Sequence, residues 1–310
     1  MLPSLFLALV VAQPPTTPGG YEQAQAAARS GRGDEAVTRL LALKNDARAQ
    51  QLLCTVYVTM ERFDEGIRAC EAVARANPSS SGAQLLLARA YGAKADHSGT
   101  FTGMKLVGKI RGSFEKAVEL DPTSIEALSD LGEFYVSAPG IVGGGSDKAT
   151  ALVPRLMKLS PARGHRLLGM IAQKNDNPAV AEAEFQKEIE QKHTPESYVD
   201  LANFYAHEKQ WEKASATALL AIRRDTRHGA DSIDAANLLV KLNRELPAAV
   251  QAYRDYFAGS NQTAETPAFK VHTLLGLALA KQGDTSAAQQ EFMAALELAH
   301  DYPPARKGAQ

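Results

Sequence analysis

LLGLALAKQGDTSAAQQEFMAALELAHDYP, residues 274–303, decides how the rest of the chain is read. Leu275 stands beside Gly276, Leu279 follows, Gly283 breaks the run, and Ala288, Phe292 and Ala295 come after it. Residues three and four apart lie on one helical face, so Leu275 and Leu279 form one stripe and Ala288, Phe292 and Ala295 another. Gly283 favours a stop, and Asp284 offers a side chain to cap the next helix. The stretch reads as two antiparallel helices. Its small residues let the backbones approach, and its large ones fill the space between neighbouring pairs.

The same alternation recurs upstream. Leu131-Gly132 and Tyr135 lead to Ala149 and Pro161, and Leu201-Ala202 and Tyr205 lead to Ala214, Ala218 and Ala221. Leu87-Ala88 and Tyr91 lead to Phe114, Ala117 and Pro122; Gly169 leads to Ala181 and Phe185; Leu53-Cys54 and Tyr57 lead to Gly66, Cys70 and Pro78. Weaker copies are anchored on Ala36 and on Ala249 with Tyr253, which makes about eight hairpins between Tyr21 and Tyr302. Asn77-Pro78, Asp121-Pro122, Ser160-Pro161 and Tyr302-Pro303 fall at the boundaries, where proline ends one helix and biases its predecessor out of helical angles. Asp34 and Asp147, like Asp284, are expected as caps of second helices.

This spacing resembles the tetratricopeptide repeat, a helix pair recurring about every 34 residues. The resemblance implies an all-α fold, a right-handed superhelical solenoid of about eight hairpins whose first helices line a concave, partner-binding face. A second resemblance covers mainly residues 81–160. Gly103-Met104-Lys105, Lys109, Phe114-Glu115-Lys116-Ala117, Phe134-Tyr135 and Ala138-Pro139-Gly140-Ile141-Val142-Gly143-Gly144 are similar to a group of exported bacterial proteins of that repeat type. It implies fold and export and names no substrate.

Bulk properties agree with a helical array. Apolar residues make up 45% of the 310 and aromatics only 6%, a balance suited to close helix contacts. The formal charge of -1 leaves no basic excess for nucleic acid. Leu2 to Ala12 is apolar except for Ser4, too short to span a bilayer, and predicts an export signal over 1–12 with a periplasmic or secreted product. A linker over 13–20, the repeats over 21–302 and a tail over 303–310 complete the expected layout. No later run is long and apolar enough for an integral span.

Two hairpins break the period. About ten extra residues lie between Tyr91 and Phe114, and about five in the Ser137–Ser146 loop, so residues 99–112 and 137–148 are read as insertions in loops or helix extensions. Lys105 and Lys109, four apart, share one face there, with Arg111 and Lys116 nearby, and suit an anionic partner or membrane surface as well as a solvated face. A small-ligand carrier or enzyme accessory would place its pocket beneath these insertions.

Recognisable catalytic chemistry is missing from the sequence. Gly145-Ser146-Asp147-Lys148 has its lysine misplaced for a phosphate loop and follows a helix. Ser113-Phe114-Glu115-Lys116 lacks the companion motifs of a serine acyl-enzyme. The histidines form no His-Glu-x-x-His or other short metal pair. No cofactor, metal or catalytic residue is expected.

Cys54 and Cys70 fall eight residues either side of Arg62, near the turn of one hairpin, and so stand level on facing helices. Two readings stand side by side: a disulfide, which an exported chain permits, and two buried thiols acting as small hydrophobes.

The expected function is a non-enzymatic scaffold that binds a protein or peptide through outward positions on first helices: Arg89, Glu133, Arg163, Arg166, Lys174, Asn203 and His207. Arg163, Arg166, Lys174 and Asn203 read as a local cationic stretch suited to a carboxylate, or as cations paired with acids of neighbouring repeats. Trp211 and Phe63 read as packing their hairpin turns. The short end after Pro303-Pro304 suggests that the last hairpin leans on a partner or on a second copy.

Overall fold

The computed structural model describes residues 19–259 and 261–310, and every regular element among them is helical. The expected signal 1–12 and residues 13–18 of the expected linker lie outside the described residues. Among the described residues, eight antiparallel hairpins follow one another. They pair α1 (Gly20–Arg29) with α2 (Gly33–Ala42), α3 (Ala47–Thr59) with α4 (Phe63–Ala76), and α5 (Ser81–Asp96) with α6 (Thr100–Leu120). Next come α7 (Ile125–Ser137) with α8 (Ser146–Leu159), α9 (Pro161–Lys174) with α10 (Pro178–Lys192), and α11 (Pro195–His207) with α12 (Trp211–Arg224). The last pairs are α13 (Ala230–Leu242) with α14 (Leu246–Ala258) and α15 (Ala268–Gln282) with α16 (Thr285–Leu298). The fold is the expected helical repeat solenoid.

The small residues are where close approach needs them. A Cβ on Gly276 would stand 2.7 Å from the Phe292 ring, and one on Gly169 would stand 3.0 Å from the Phe185 ring. The ring of each second helix therefore lies directly against first-helix backbone. Ala36, Ala88, Ala117, Ala149, Ala181 and Ala214 are wholly buried at the same kind of contact. Polar clasps recur between neighbouring hairpins: the hydroxyls of Tyr91, Tyr135 and Tyr205 donate to Glu71, Glu115 and Glu182 at 2.6, 2.9 and 2.7 Å. Burial, together with each carboxylate acceptor, pushes the three phenols up, Tyr135 and Tyr205 to about 12.

Of the three expected caps, Asp284 accepts from the Ala287 amide at 3.0 Å. Asp34 and Asp147 sit inside the first turns of α2 and α8, where a carboxylate faces the positive end of the helix dipole without capping it.

The insertions take two forms. Residues 99–112 become an extension of α6, which runs 21 residues. Residues 137–148 form a 3-10 turn, Gly140–Val142, leading into α8. The turn is tightly held. Gly144 and Gly145 amides donate to the Pro139 and Tyr135 carbonyls at 3.2 and 2.7 Å, and Lys148 Nζ donates to the Gly143 carbonyl at 2.8 Å.

The two ends of the array meet. Ala27, Leu40 and Met60 of the first two hairpins share one apolar cluster with Ala264, Phe269, Tyr302 and Ala305. Gly31 has φ +70°, and a Cβ there would lie 2.2 Å from the Ala268 amide nitrogen, so no side chain fits. The segment 303–310, expected as a tail, instead begins with α17 (Pro303–Gly308), whose Ala305 is fully buried. Both α17 and the first hairpins pack against the last hairpin. The physical reason is curvature: successive hairpins turn until the last reaches the first.

Candidate functional site

First helices α9, α11 and α13 present one face to a common groove. On α11 Asp200, Asn203, Phe204 and His207 follow the three- and four-residue spacing of a single face. Arg166 and Met170 of α9 and Leu238, Lys241 and Leu242 of α13 meet them across a cleft of about 600 Å³. Phe185 and Phe204 lie at its floor with ring centroids 5.5 Å apart, and Trp211 stands at its rim, 38% exposed. Trp211, expected to pack a hairpin turn, therefore also offers an aromatic surface to the cleft.

A second cleft of about 400 Å³ shares Arg166, Asp200, Asn203, Leu238 and Lys241 and continues past Glu196, Asp231 and Asp234. Together the two form a groove with an aromatic, aliphatic floor at one end and carboxylates at the other.

The two arginines of this region are already engaged. Arg166 Nε donates to Asp200 Oδ2 at 3.0 Å, and its terminal nitrogens lie 3.2 Å from Glu133 Oε2. Arg163 donates to Glu196 at 2.8 Å. Of the two readings of this stretch, the paired one describes the arginines: carboxylates arriving from α7 and α11 pair both. Burial opposes the charge on Arg166, but Asp200 and Glu133 outweigh it and hold the guanidinium ionised. Burial, then the Glu196 and Asp225 charges, pushes Asp231 up to about 6, and burial also raises Asp234. Beneath the pairs, burial and then the Asp200 charge push the Glu188 carboxyl far above the usual carboxylate range. The unpaired acids make this end of the groove anionic.

Of the seven residues expected along the groove, Arg166, Asn203 and His207 line the main cleft. Glu133 and Arg163 flank it through their ion pairs. Arg89 lies two hairpins away, bonded to Asp130 at 2.7 Å and to Glu126 at 3.4 Å, and Lys174 is exposed beyond the cleft lining. The sequence reading missed the floor, Phe185 and Phe204, because both also satisfy the core pattern. Cys54 and Cys70 face each other across α3 and α4 with Cα atoms 5.2 Å apart and their sulfurs in bonding contact. Neither insertion contributes a residue to the clefts just described. Among the described residues no cluster of three or more His, Cys, Asp or Glu side chains is placed to hold a metal ion. None of their helices is long and apolar enough to cross a membrane.

Residues 269–302, the α15–α16 hairpin and its flanks, match the family described as the tetratricopeptide repeat. No curated protein matches the chain. Among solved structures, the chain is similar to a thermophilic TPR protein of Thermus thermophilus. Identity is 18%, over 63% of this chain and 100% of that one, with a TM-score of 0.48. It is also similar to a tetratricopeptide repeat protein of Parabacteroides merdae, at 13% identity over 94% and 98% of the two chains and a TM-score of 0.46. A third similarity is to PilW, a type IV pilus biogenesis factor, at 15% identity over 85% and 98% and a TM-score of 0.43.

Proposed function

We propose that this chain is a non-enzymatic scaffold of the bacterial envelope that holds a protein or peptide partner in the groove across α9, α11 and α13. The observation that carries the reading is the combination of an apolar floor at Phe185, Phe204 and Leu238 with the acids Asp231 and Asp234 further along the same groove. An apolar side chain fills the floor, and a basic residue nearby meets the carboxylates; this is how a groove recognises a peptide by anchor and charge. The short apolar run at 2–12 supports the envelope assignment.

The test is selection of peptides from a displayed random library on the full-length chain. Selected sequences carry a large apolar residue with Lys or Arg close by. Their affinity falls about tenfold in Asn203→Trp, which fills the cleft, and about tenfold in the pair Asp231→Asn, Asp234→Asn. Selected peptides that bind the Asn203→Trp chain as tightly as the parent reject the groove.

A further inference from the structure

The three most exposed large apolar side chains among the described residues are Ile141, Phe101 and Met104, at 96%, 73% and 61% of full exposure. All three belong to the two insertions, outside the groove. An isolated exposed apolar residue needs no explanation, but these coincide with an asymmetry of charge. Between Asp96 and Glu115 the sequence holds Lys105, Lys109 and Arg111 and no acid, and Ser137–Ser146 holds no charge at all. The chain as a whole has a formal charge of -1, so this basic, apolar lobe is not a sample of its average surface.

Local structure brings the pieces together. A Cβ on Gly143 would lie 1.9 Å from Arg111 Nη1, so the 3-10 turn carrying Ile141 rests on the Arg111 side chain of α6. Met104 precedes Arg111 by seven residues, two helical turns or about 10 Å, on the same face. The turn's backbone bonds hold Ile141 outward in an ordered loop. On the α6 extension, Lys105 lies over the Phe101 ring at 4.1 Å and Lys109 over the Tyr91 ring at 5.0 Å. Among the described residues neither lysine has an ion-pair partner, whereas Lys116 is paired with Glu119 at 2.9 Å.

We propose that this lobe, the N-terminal half of α6 with the Gly140–Val142 turn, docks the protein on an anionic lipid surface. Phe101, Met104 and Ile141 enter the boundary between headgroups and acyl chains, and Lys105 and Lys109 meet lipid phosphates. Apolar side chains flanked by unpaired lysines suit an interface that is apolar below and anionic above. A soluble acidic protein would match the lysines and leave the apolar side chains in water. The proposal is independent of the groove.

The test is cosedimentation of the full-length chain with vesicles of phosphatidylcholine alone or with about one-third phosphatidylglycerol. All variants keep residues 1–18, so those contribute equally throughout. The parent sediments with the anionic vesicles only, and about 0.5 M salt releases it. Lys105→Gln with Lys109→Gln lowers partitioning about thirtyfold. Phe101→Ser, Met104→Ser and Ile141→Ser together abolish it while the helical circular dichroism spectrum is unchanged. A parent chain that stays in the supernatant with both vesicle types overturns the proposal, and so does retention of poly-glutamate in place of lipid. Binding undiminished in the triple serine variant overturns it as well.

Discussion

His300, in the turn after α16, and Asp34, in the first turn of α2, join the two ends of the chain. The backbone amide of His300 donates to Asp34 Oδ2 at 2.8 Å, and the Nδ1 of its ring donates to the same oxygen at 2.8 Å. They are separated by 266 residues, yet the contact is as close as a helix cap. The carboxylate raises the His300 pKa, first through the hydrogen bond and then through its charge.

The pH dependence of this closure follows from that direction. A histidine whose folded pKa is raised contributes stability that is complete below its unfolded value and disappears as pH rises through the folded one. Thermal scans of the parent and Asp34→Asn are expected to differ at pH 5 and to converge above about pH 8. A difference that persists unchanged to high pH contradicts the ionic contribution of the pair.

Gly31 is the backbone hinge of the same junction. Its φ of +70° and its approach to Ala268 leave no room for a side chain. Gly31→Val is expected to cost about 2–3 kcal/mol and to separate the ends. Small-angle scattering measures the result as a larger radius of gyration with unchanged helix content. The parent radius in Gly31→Val contradicts this account of closure.

Arg166 and Arg163 are expected to behave differently although both are paired. Arg166 and Asp200 are largely buried, so Arg166→Ala strands an acid in a poorly solvated site and costs about 3 kcal/mol. Arg163 and Glu196 are 30% and 43% exposed, and Arg163→Ala costs under about 1 kcal/mol. Urea unfolding of the two variants measures the contrast.

Glu188 gives the fold an alkaline weakness. Its folded pKa of about 9 lies far above an ordinary carboxylate, so the unfolded chain ionises first as pH rises. Stability therefore falls from about pH 4.5 until about pH 9 and then levels off. Glu188→Gln cannot ionise and is expected to flatten this decline, so that its stability relative to the parent rises steadily between about pH 5 and about pH 8. Parallel pH profiles for the two chains contradict the assignment.

Cys54 and Cys70 are placed for a disulfide, and the assignment predicts no free thiols in oxidised, denatured protein. Closing a loop of this length contributes about 3 kcal/mol, so reduction is expected to lower the unfolding midpoint clearly. Two free thiols in oxidised material rule the bond out.

The groove shows where sequence reading stops. Asn203 and His207 were legible because they share one face of α11, four residues apart. Arg166 was legible as a cation open to acids of neighbouring repeats, but its bond to Asp200, 34 residues on, was not. Which acids neutralise the arginines, and that Asp231 and Asp234 stay unpaired beside them among the described residues, was decided by the packing of α7, α9, α11 and α13. Phe185 and Phe204 carry no mark separating a groove floor from a hairpin core.

Two levels of information therefore divide this protein. The hairpins and their number were legible in the sequence, because helix periodicity, the Gly276–Phe292 type of contact and proline stops act over a few turns of chain. Only the tertiary structure decided that the array closes through Gly31, Asp34 and His300, that one end of its groove is anionic, and that Ile141 is presented beside α6. Those outcomes depend on small rotations summed over successive hairpins and on charges meeting across helices, and no local spacing records either.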